Sequence, residues 1–154
     1  MDWLVKLLTN PYVVAAMSSW LLAQIMKITL NLIINKKLDL SRLFGDGGMP
    51  SGHSATVTAL ATFTALKNGP GSFEFAVCGI LAIIVCNDAS GVRLETEKQG
   101  RLLRDLVAAF EELHHKDLPN VKLKRFVGHT PIQVLFGVIL GFVNALVMYY
   151  FVFS

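Results

Sequence analysis

Charged residues are scarce in this chain: Asp, Glu, Lys and Arg together make up 16% of its 154 residues, and hydrophobic residues make up 53%. A soluble globular domain typically has about 25% charged residues. Cysteine is also rare, and Cys78 and Cys86, the two that are present, would lie about 12 Å apart along a helix, which is too far for a disulfide. Internal repeats and low-complexity segments are absent from the sequence. These absences exclude a disulfide-rich or repeat protein and argue against an ordinary soluble domain.

The apolar residues fall in four blocks, each about as long as the roughly 20 residues that cross ~30 Å of hydrocarbon as a helix. The first block contains one charge, Lys27, and the last contains none. The second is rich in Ala and Thr, and the third begins with Gly-Pro-Gly and a glutamate, so we expect these two to be covered by protein rather than lipid. A soluble bundle of buried helices is the alternative. We predict a single all-α membrane domain, a polytopic bundle of about four transmembrane helices at residues 11–34, 49–67, 70–89 and 130–153.

One long polar arm, residues 90–129, interrupts the apolar pattern. Within it, residues 95–115 are predicted to form an amphipathic helix, because apolar residues recur at spacings of three and four and Pro119 follows. This helix lies at the membrane surface or over a site as a lid, or else it packs on the ends of the bundle or against a second copy. His114 and His115 would point about 100° apart on a helix and do not indicate a metal site. The apolar positions are Leu103, Leu106, Val107, Phe110 and Leu113.

The basic residues are concentrated in residues 35–48 and 90–129, whereas the opposite side of a four-span bundle carries only Lys6 and Lys67. The positive-inside rule therefore places both basic segments in the cytoplasm and both termini outside. We expect an integral multi-pass protein of the inner (plasma) membrane. Its basic face would attract anionic lipid headgroups or phosphorylated substrates. Because the basic residues lack interleaved aromatic residues, a nucleic-acid partner is not expected.

The most informative stretch is Gly47-Gly48-Met49-Pro50-Ser51-Gly52-His53-Ser54, which stands directly before an uncharged helical run. Proline suits the first turn of a helix, so Pro50 is expected there. The first amides of such a helix point outward at the positive end of its dipole, which is a ready site for an oxyanion such as phosphate. His53 can move protons near neutral pH beside such a site. The simpler alternative is that His53 only caps the helix.

Three polar clusters fall at the same end of the predicted bundle. His53 begins the second span, Asp88-Ala89-Ser90-Gly91-Val92-Arg93 ends the third, and a segment ending in Gly128-His129 leads into the fourth. Phosphoryl transfer through histidine needs such a set: one histidine attacks phosphorus, a second protonates the leaving oxygen, and an arginine binds the equatorial oxygens. Basic and polar residues also collect at membrane interfaces in general, so the clustering supports this chemistry only in part.

Pro50-Ser51-Gly52-His53 resembles the central motif of the type 2 phosphatidic acid phosphatase family, which is related to the vanadium haloperoxidases. Val127-Gly128-His129-Thr130-Pro131-Ile132-Gln133-Val134-Leu135-Phe136-Gly137 resembles the last motif of that family. Ordinary members have a Ser-Arg pair shortly before the last histidine, and the nearest match here is Ser90-Gly91-Val92-Arg93, with the polar arm inserted after it. The chain from Gly47 onward is therefore similar to the divergent, short branch of the family.

The resemblance implies a role for each matching residue. His129 would be the nucleophile that forms a phosphohistidine, and His53 would be the general acid for the leaving group. The phosphate oxygens would be held by Arg93, Ser51 and the Gly52 amide. No metal or other cofactor is needed in such a site, because arginine, lysine and helix amides supply the charge stabilisation.

Two departures from the family pattern bear on activity. The first motif of the family, which contains a lysine, is absent, and Lys27 is the only intramembrane cation that can replace it; alternatively Lys27 snorkels to the interface or binds a carbonyl. The acid that orients the nucleophilic histidine falls on Gln133, which can accept the imidazole N–H but cannot stabilise positive charge on the ring. In serine proteases, loss of the matching carboxylate costs about 10⁴ in rate. Gln133 therefore predicts slow catalysis, help from another acid such as Asp88, or lost catalysis.

The preferred hypothesis is a metal-independent membrane phosphatase that hydrolyses a lipid phosphate or diphosphate, of the isoprenoid phosphate or phosphatidic acid type. The second hypothesis is a phosphate- or phospholipid-binding membrane protein that has lost turnover, which Gln133 and the missing first motif favour. The third is a membrane scaffold or assembly subunit that uses Gly137 and Gly141 as a homodimer interface. In the phosphatase hypothesis, these glycines only allow close helix packing.

Overall fold

The computed structural model of the protein describes residues 2–36, 48–114 and 130–153. Every regular element within these residues is helical, so the predicted all-α bundle is confirmed. The amphipathic helix that periodicity predicts at residues 95–115 is also present, as α5. The helices are α1 (Asp2–Leu8), α2 (Pro11–Asn35), α3 (Gly52–Asn68), α4 (Phe73–Ser90), α5 (Val92–His114) and α6 (Pro131–Val147), and α6 continues as a π-helical turn (Met148–Val152).

Polar caps determine where the four longest apolar helices begin. A cap side chain accepts a hydrogen bond from an amide in the first turn and so satisfies one of the unpaired donors there. The sequence places Pro50 in the first turn of α3, but in the structure it lies one residue before the cap. Because the Ser51 side chain takes the capping position, the first helical residue is Gly52. The caps of α2, α3, α4 and α6 are Asn10, Ser51, Ser72 and Thr130.

The centre of the bundle is α3, which packs against α2, α4 and α6. Its buried face contains small residues, among them Ala55, Ala59 and Ala61, which allow neighbouring helices to approach closely. The prediction that the second apolar block is covered by protein is therefore confirmed. The three helices around α3 are long and apolar enough to cross a membrane, over Pro11–Ile34, Phe73–Ser90 and Pro131–Val152.

The outermost of these helices is α4, and its position corrects the expectation that the third apolar block is covered by protein. Only 6% of its membrane-length segment is buried, and Ile80, Ile83 and Ile84 are among its exposed residues. Among the described elements, α4 packs mainly on α3 and makes little contact with α6. Most of its circumference therefore faces outward, where acyl chains can cover an apolar helix whose backbone groups are already paired.

The backbones of α3 and α6 meet at two glycines of α6, and the two helices run in the same direction. A Cβ atom on Gly137 would lie 3.0 Å from the Cβ of Ser54, and one on Gly141 would lie 3.0 Å from the carbonyl carbon of Ala55. The carbonyl oxygens of Ser51 and Ala55 would be closer still. Glycine is therefore needed at both positions, and the pair packs the chain against itself as the phosphatase hypothesis expects.

A buried hydrogen-bond network joins α2 to α6 in the apolar interior. The Asn144 side-chain amide donates to the hydroxyl of Ser18 at 2.8 Å and to that of Ser19 at 2.7 Å. Both serines in turn donate to the carbonyl of Ala15 at 3.0 Å. Because each polar group in this network has a partner, it stabilises the contact between the two helices.

Aromatic rings close one end of the bundle. Phe63 of α3 makes edge-to-face contacts with Tyr12, Tyr149 and Phe153 at centroid distances of 5.4, 6.0 and 5.8 Å. The Tyr12 hydroxyl donates to the Asn68 side chain at the last residue of α3. The opposite end, where α2 finishes and α3 and α6 begin, is called the motif end below.

Gly141→Ala is expected to destabilise the bundle, because the added methyl group would overlap the backbone of Ala55. Overpacking costs about 1–3 kcal/mol and outweighs a helix-propensity gain of up to about 1 kcal/mol. Thermal unfolding in detergent measures the change. The matched control is Gly79→Ala on α4, whose Cβ would meet only the ring of Phe75, at 3.8 Å, and which should be neutral or stabilising. Equal stability of the two variants would contradict the close α3–α6 contact.

Candidate functional site

Two helix starts meet at the motif end of the bundle. The amide of Ser51, the cap of α3, donates to the carbonyl of Gln133 in the first turn of α6 at 2.9 Å. Because the two helices run in the same direction, the positive ends of their dipoles lie side by side. Paired helix starts of this kind favour the binding of an anion.

The side chain of Ser51 is completely buried and holds the start of α3. Its hydroxyl oxygen accepts hydrogen bonds from the amide of Ser54 at 3.3 Å and from the hydroxyl of Ser54 at 3.1 Å. A serine hydroxyl has one donor and two acceptor positions. The predicted contact of Ser51 with phosphate is therefore limited to donation from its single O–H.

The side chain of Lys27 lies over the start of α3, with only 5% of the residue exposed. A Cβ atom on Gly48 would lie 3.8 Å from Lys27 Cγ, and one on Gly52 would lie 3.8 Å from Lys27 Nζ. This geometry argues against a lysine that snorkels to the interface. It brings the cation to the first turn of α3, where the resemblance needs a replacement for the lysine of the first motif.

The space beside the lysine depends on the absence of a side chain at Gly52. A Cβ atom on this residue would approach Trp20 Cδ1 to 3.4 Å, so a larger side chain would occupy the gap between Trp20 and Lys27. In the described part of the chain, the Gly52 amide donates to no backbone carbonyl outside its own helix. Both observations suit its predicted contact with a phosphate oxygen.

His53 and Asp88 lie at the motif end on different helices. His53 is half-buried in the first turn of α3, directly after Gly52. Asp88 is half-buried in the last turn of α4. The structure therefore brings Ser51, Gly52, His53 and Lys27 to one place, and it puts Asp88 at the same end of the bundle.

Two predicted residues of the site are described in part or not at all. The backbone of Arg93 lies in the first turn of α5, directly after α4 ends, and its side chain is outside the described part of the chain. The predicted nucleophile, His129, lies outside the described residues altogether. The residue after it, Thr130, is the cap of α6.

Gln133 helps to begin α6. Its Oε1 atom accepts from the amide of Thr130 at 3.1 Å, while the Thr130 hydroxyl accepts from the amide of Gln133 at 3.4 Å. This reciprocal pair is a capping box, in which glutamate and glutamine both serve. Capping of α6 thus explains a glutamine at this position without any role in catalysis. Its predicted contact with His129 lies outside the described residues.

Sequence reasoning missed Gln24 on α2. It is 5% exposed, and its Oε1 atom has no hydrogen-bond partner in the part of the chain that the structure describes. Gln24, Lys27 and Asn31 are all buried and recur at spacings of three and four along α2. The sequence signal that could have identified Gln24 was a row of polar residues at helical spacing in an otherwise apolar helix, because such residues rarely face lipid.

The fold and the site together define a membrane-embedded helical bundle with a candidate anion site at two paired helix starts. A family profile described as "Divergent PAP2 family" matches residues 8–144. The chain therefore belongs to the divergent PAP2 family, and the resemblance seen in its motifs is confirmed. This membership relates the protein to membrane phosphatases. The matched residues include every predicted site residue.

A relative in Bacillus subtilis (strain 168) has nearly the same length as this chain and is described as a membrane protein. It is the uncharacterized membrane protein YuiD, which is 40% identical over 155 residues, with 95% of this chain and 98% of the relative covered. Its description as a membrane protein agrees with the three membrane-length helices found here. No solved structure matches the chain.

Ser51→Ala is expected to destabilise the protein by more than the loss of an ordinary cap. A lost cap costs about 1 kcal/mol, and the buried Ser54 hydroxyl would also lose its acceptor, at about 1–3 kcal/mol. Unfolding in detergent measures the loss. The matched control is Ser72→Ala, which removes the α4 cap on the amide of Phe75 and a donor to the Gly69 carbonyl. Because that carbonyl also accepts from the Ser72 amide, the loss should be little more than the capping contribution. Similar losses in the two variants would contradict a stabilising Ser51–Ser54 pair.

Proposed function

We propose that the protein is a metal-independent membrane phosphatase that hydrolyses a lipid phosphate or diphosphate through a phosphohistidine intermediate. The observation that carries this proposal is the buried Lys27 side chain beside the first turn of α3, at the end of the bundle where α6 also begins. Membership of the divergent PAP2 family supports the same reaction class. Isoprenoid phosphates and phosphatidic acid have the required chemistry, because each joins a phosphate to an apolar tail.

The phosphate binds at the positive starts of α3 and α6. The Nζ of Lys27 supplies a cation, and the Gly52 amide and the Ser51 hydroxyl supply hydrogen-bond donors. Arg93 binds further oxygens through its two-pronged guanidinium. Donors fixed in this way stabilise the charge of the transition state and need no metal ion.

The reaction has two steps. In the first, His129 attacks phosphorus, an N–P bond forms, and the bond between phosphorus and the ester oxygen breaks while His53 gives that oxygen a proton. In the second, water attacks the phosphohistidine, the N–P bond breaks, and His53 takes a proton from the water. Inorganic phosphate leaves, and both histidines return to their starting states.

The membrane provides the apolar part of the substrate site. The bundle crosses the inner (plasma) membrane several times, with the motif end and the basic segments in the cytoplasm. The phosphate group enters from that face, and the apolar tail lies between the helices. The exposed apolar sides of α2, α4 and α6 support this arrangement, because lipid can cover them.

His53→Ala and His129→Ala are each expected to lower phosphate release by at least about 100-fold, because a general acid contributes about 10²–10⁴ in rate and the nucleophile is indispensable. The assay is inorganic phosphate released from isoprenoid phosphate and phosphatidic acid by the protein in detergent. His114→Ala, at the last residue of α5, is the matched control and should keep the wild-type rate. Undiminished phosphate release by both site variants would rule out this mechanism.

A phosphate-binding protein without turnover is the second candidate function, and Gln133 favours it. Its side-chain carbonyl already accepts the Thr130 amide, and an amide cannot stabilise positive charge on an imidazole as a carboxylate does. Under this alternative, vanadate or phosphate raises the melting temperature while no phosphate is released from any lipid. Arg93→Ala would then remove the stabilisation, and unchanged stabilisation would count against the pocket.

Gln133→Glu is expected to raise the rate of phosphate release, by up to about 10⁴-fold if the missing carboxylate limits catalysis. Glutamate also preserves the capping box, so the fold should be kept. Initial rates and melting temperatures of the two proteins measure both effects. Gln99→Glu on α5 is the matched control and should change neither. A lower rate of phosphate release by Gln133→Glu, with an unchanged melting temperature, would show that the missing carboxylate does not limit catalysis.

A further inference from the structure

The side chain of Gln24 has no role in the packing described above. Its carbonyl oxygen is buried and, in the described part of the chain, has no hydrogen-bond partner. A buried acceptor without a donor lowers the stability of the fold. The buried amide of Asn144 differs, since it donates to Ser18 and Ser19 and holds α2 on α6. Packing therefore accounts for Asn144 but not for Gln24.

The position of Gln24 on α2 shows which surface it faces. It follows Trp20 by four residues and precedes Lys27 by three, and side chains at these spacings share one face of a helix. Both neighbours lie against Gly52, with Trp20 Cδ1 at 3.4 Å and Lys27 Nζ at 3.8 Å from the position of a Cβ atom there. Gln24 lies between them along α2 and therefore faces the first turn of α3.

The chemistry of the two polar side chains on this face is complementary. Lys27 and the start of α3 favour an anion. The carbonyl of Gln24 needs a hydrogen-bond donor and gains nothing from an ionised phosphate oxygen, which is itself an acceptor. Three residues rise about 4.5 Å along a helix, so the two side chains leave α2 within one turn of each other and can reach neighbouring groups of one small ligand. One ligand can therefore contact both side chains.

We propose that Gln24 binds the hydroxyl of a phosphate ester whose headgroup carries a free hydroxyl on the carbon next to the phosphorylated one. This assignment rests on the proposed phosphate site, and it makes Gln24 the residue that decides which phosphate esters the site prefers. Esters of the glycerol phosphate type, with that hydroxyl unesterified, are preferred over isoprenoid or alkyl phosphates, which lack it. The same chemistry occurs in lipids and in free phosphate esters, and the experiment separates the two sources.

The experiment is thermal stabilisation of the full chain in detergent by two matched pairs of ligands. The soluble pair is propane-1,2-diol 1-phosphate and propyl phosphate, and the lipid pair is 1-oleoylglycerol 3-phosphate and its 2-deoxy analogue, so that the members of each pair differ by a single hydroxyl. The wild type is expected to bind the hydroxyl-bearing lipid about tenfold more tightly than the 2-deoxy analogue. A preference confined to the soluble pair would instead identify a free ester as the ligand. Equal affinity within both pairs would overturn the assignment.

Gln24→Met separates ligand binding from a structural role. Methionine keeps the length of the side chain and removes the unpaired carbonyl, so the ligand-free variant should melt at or above the wild-type temperature and should lose the preference for the hydroxyl. A much lower melting temperature, or failure to fold, would show that Gln24 is bonded within the fold and would overturn the assignment. Gln99→Met, at an exposed position on α5, is the matched control and should change neither property.

Binding needs no turnover, so failure of this assignment can be distinguished from failure of the proposed phosphatase. A hydroxyl preference that depends on Gln24, with no phosphate release, would keep the assignment and reject the enzyme. Phosphate release at equal rates from both lipids, in the wild type and in Gln24→Met, would reject the assignment and keep the enzyme. No stabilisation of the wild type by any of the four ligands would overturn the assignment.

Discussion

Close contact between the backbones of α3 and α6 is the constraint on which the rest of the structure depends. Because Gly137 and Gly141 put no side chain between the helices, the Ser51 amide reaches the Gln133 carbonyl and the two helices begin at the same level. The positive ends of two helix dipoles are thereby held together. The same contact keeps α3 at the centre of the bundle, where its first turn can face Lys27.

Buried polar side chains on two parts of α2 have different surroundings. Asn144 with Ser18 and Ser19 forms a network in which each group has a partner, and this network holds α2 against α6. On another part of α2, Lys27 lies against the start of α3, and Gln24, three residues before it, is buried with no hydrogen-bond partner for its carbonyl among the described residues. A polar group in a membrane protein is costly to bury, and the unpartnered carbonyl of Gln24 is the group on which the proposed hydroxyl contact rests.

The glutamine in the last motif connects the helix start with the question of turnover. Gln133 completes the capping box with Thr130, and both glutamine and glutamate can do so. The start of α6 therefore needs no carboxylate, whereas the proposed mechanism would use one to stabilise a charged imidazole. The description of the family as divergent PAP2 is compatible with this combination.

The sequence by itself determined the helical class, the approximate limits of the apolar helices, the family and the motif at the start of α3, because block length, caps and ordered motifs are local properties of the chain. The tertiary structure alone decided that Lys27 points at Gly52, that the Ser51 amide is bonded to the Gln133 carbonyl and that α4 lies at the rim of the bundle. These features depend on the rotation and register of each helix against its neighbours. Contacts between residues distant in sequence set both, and no local pattern contains them.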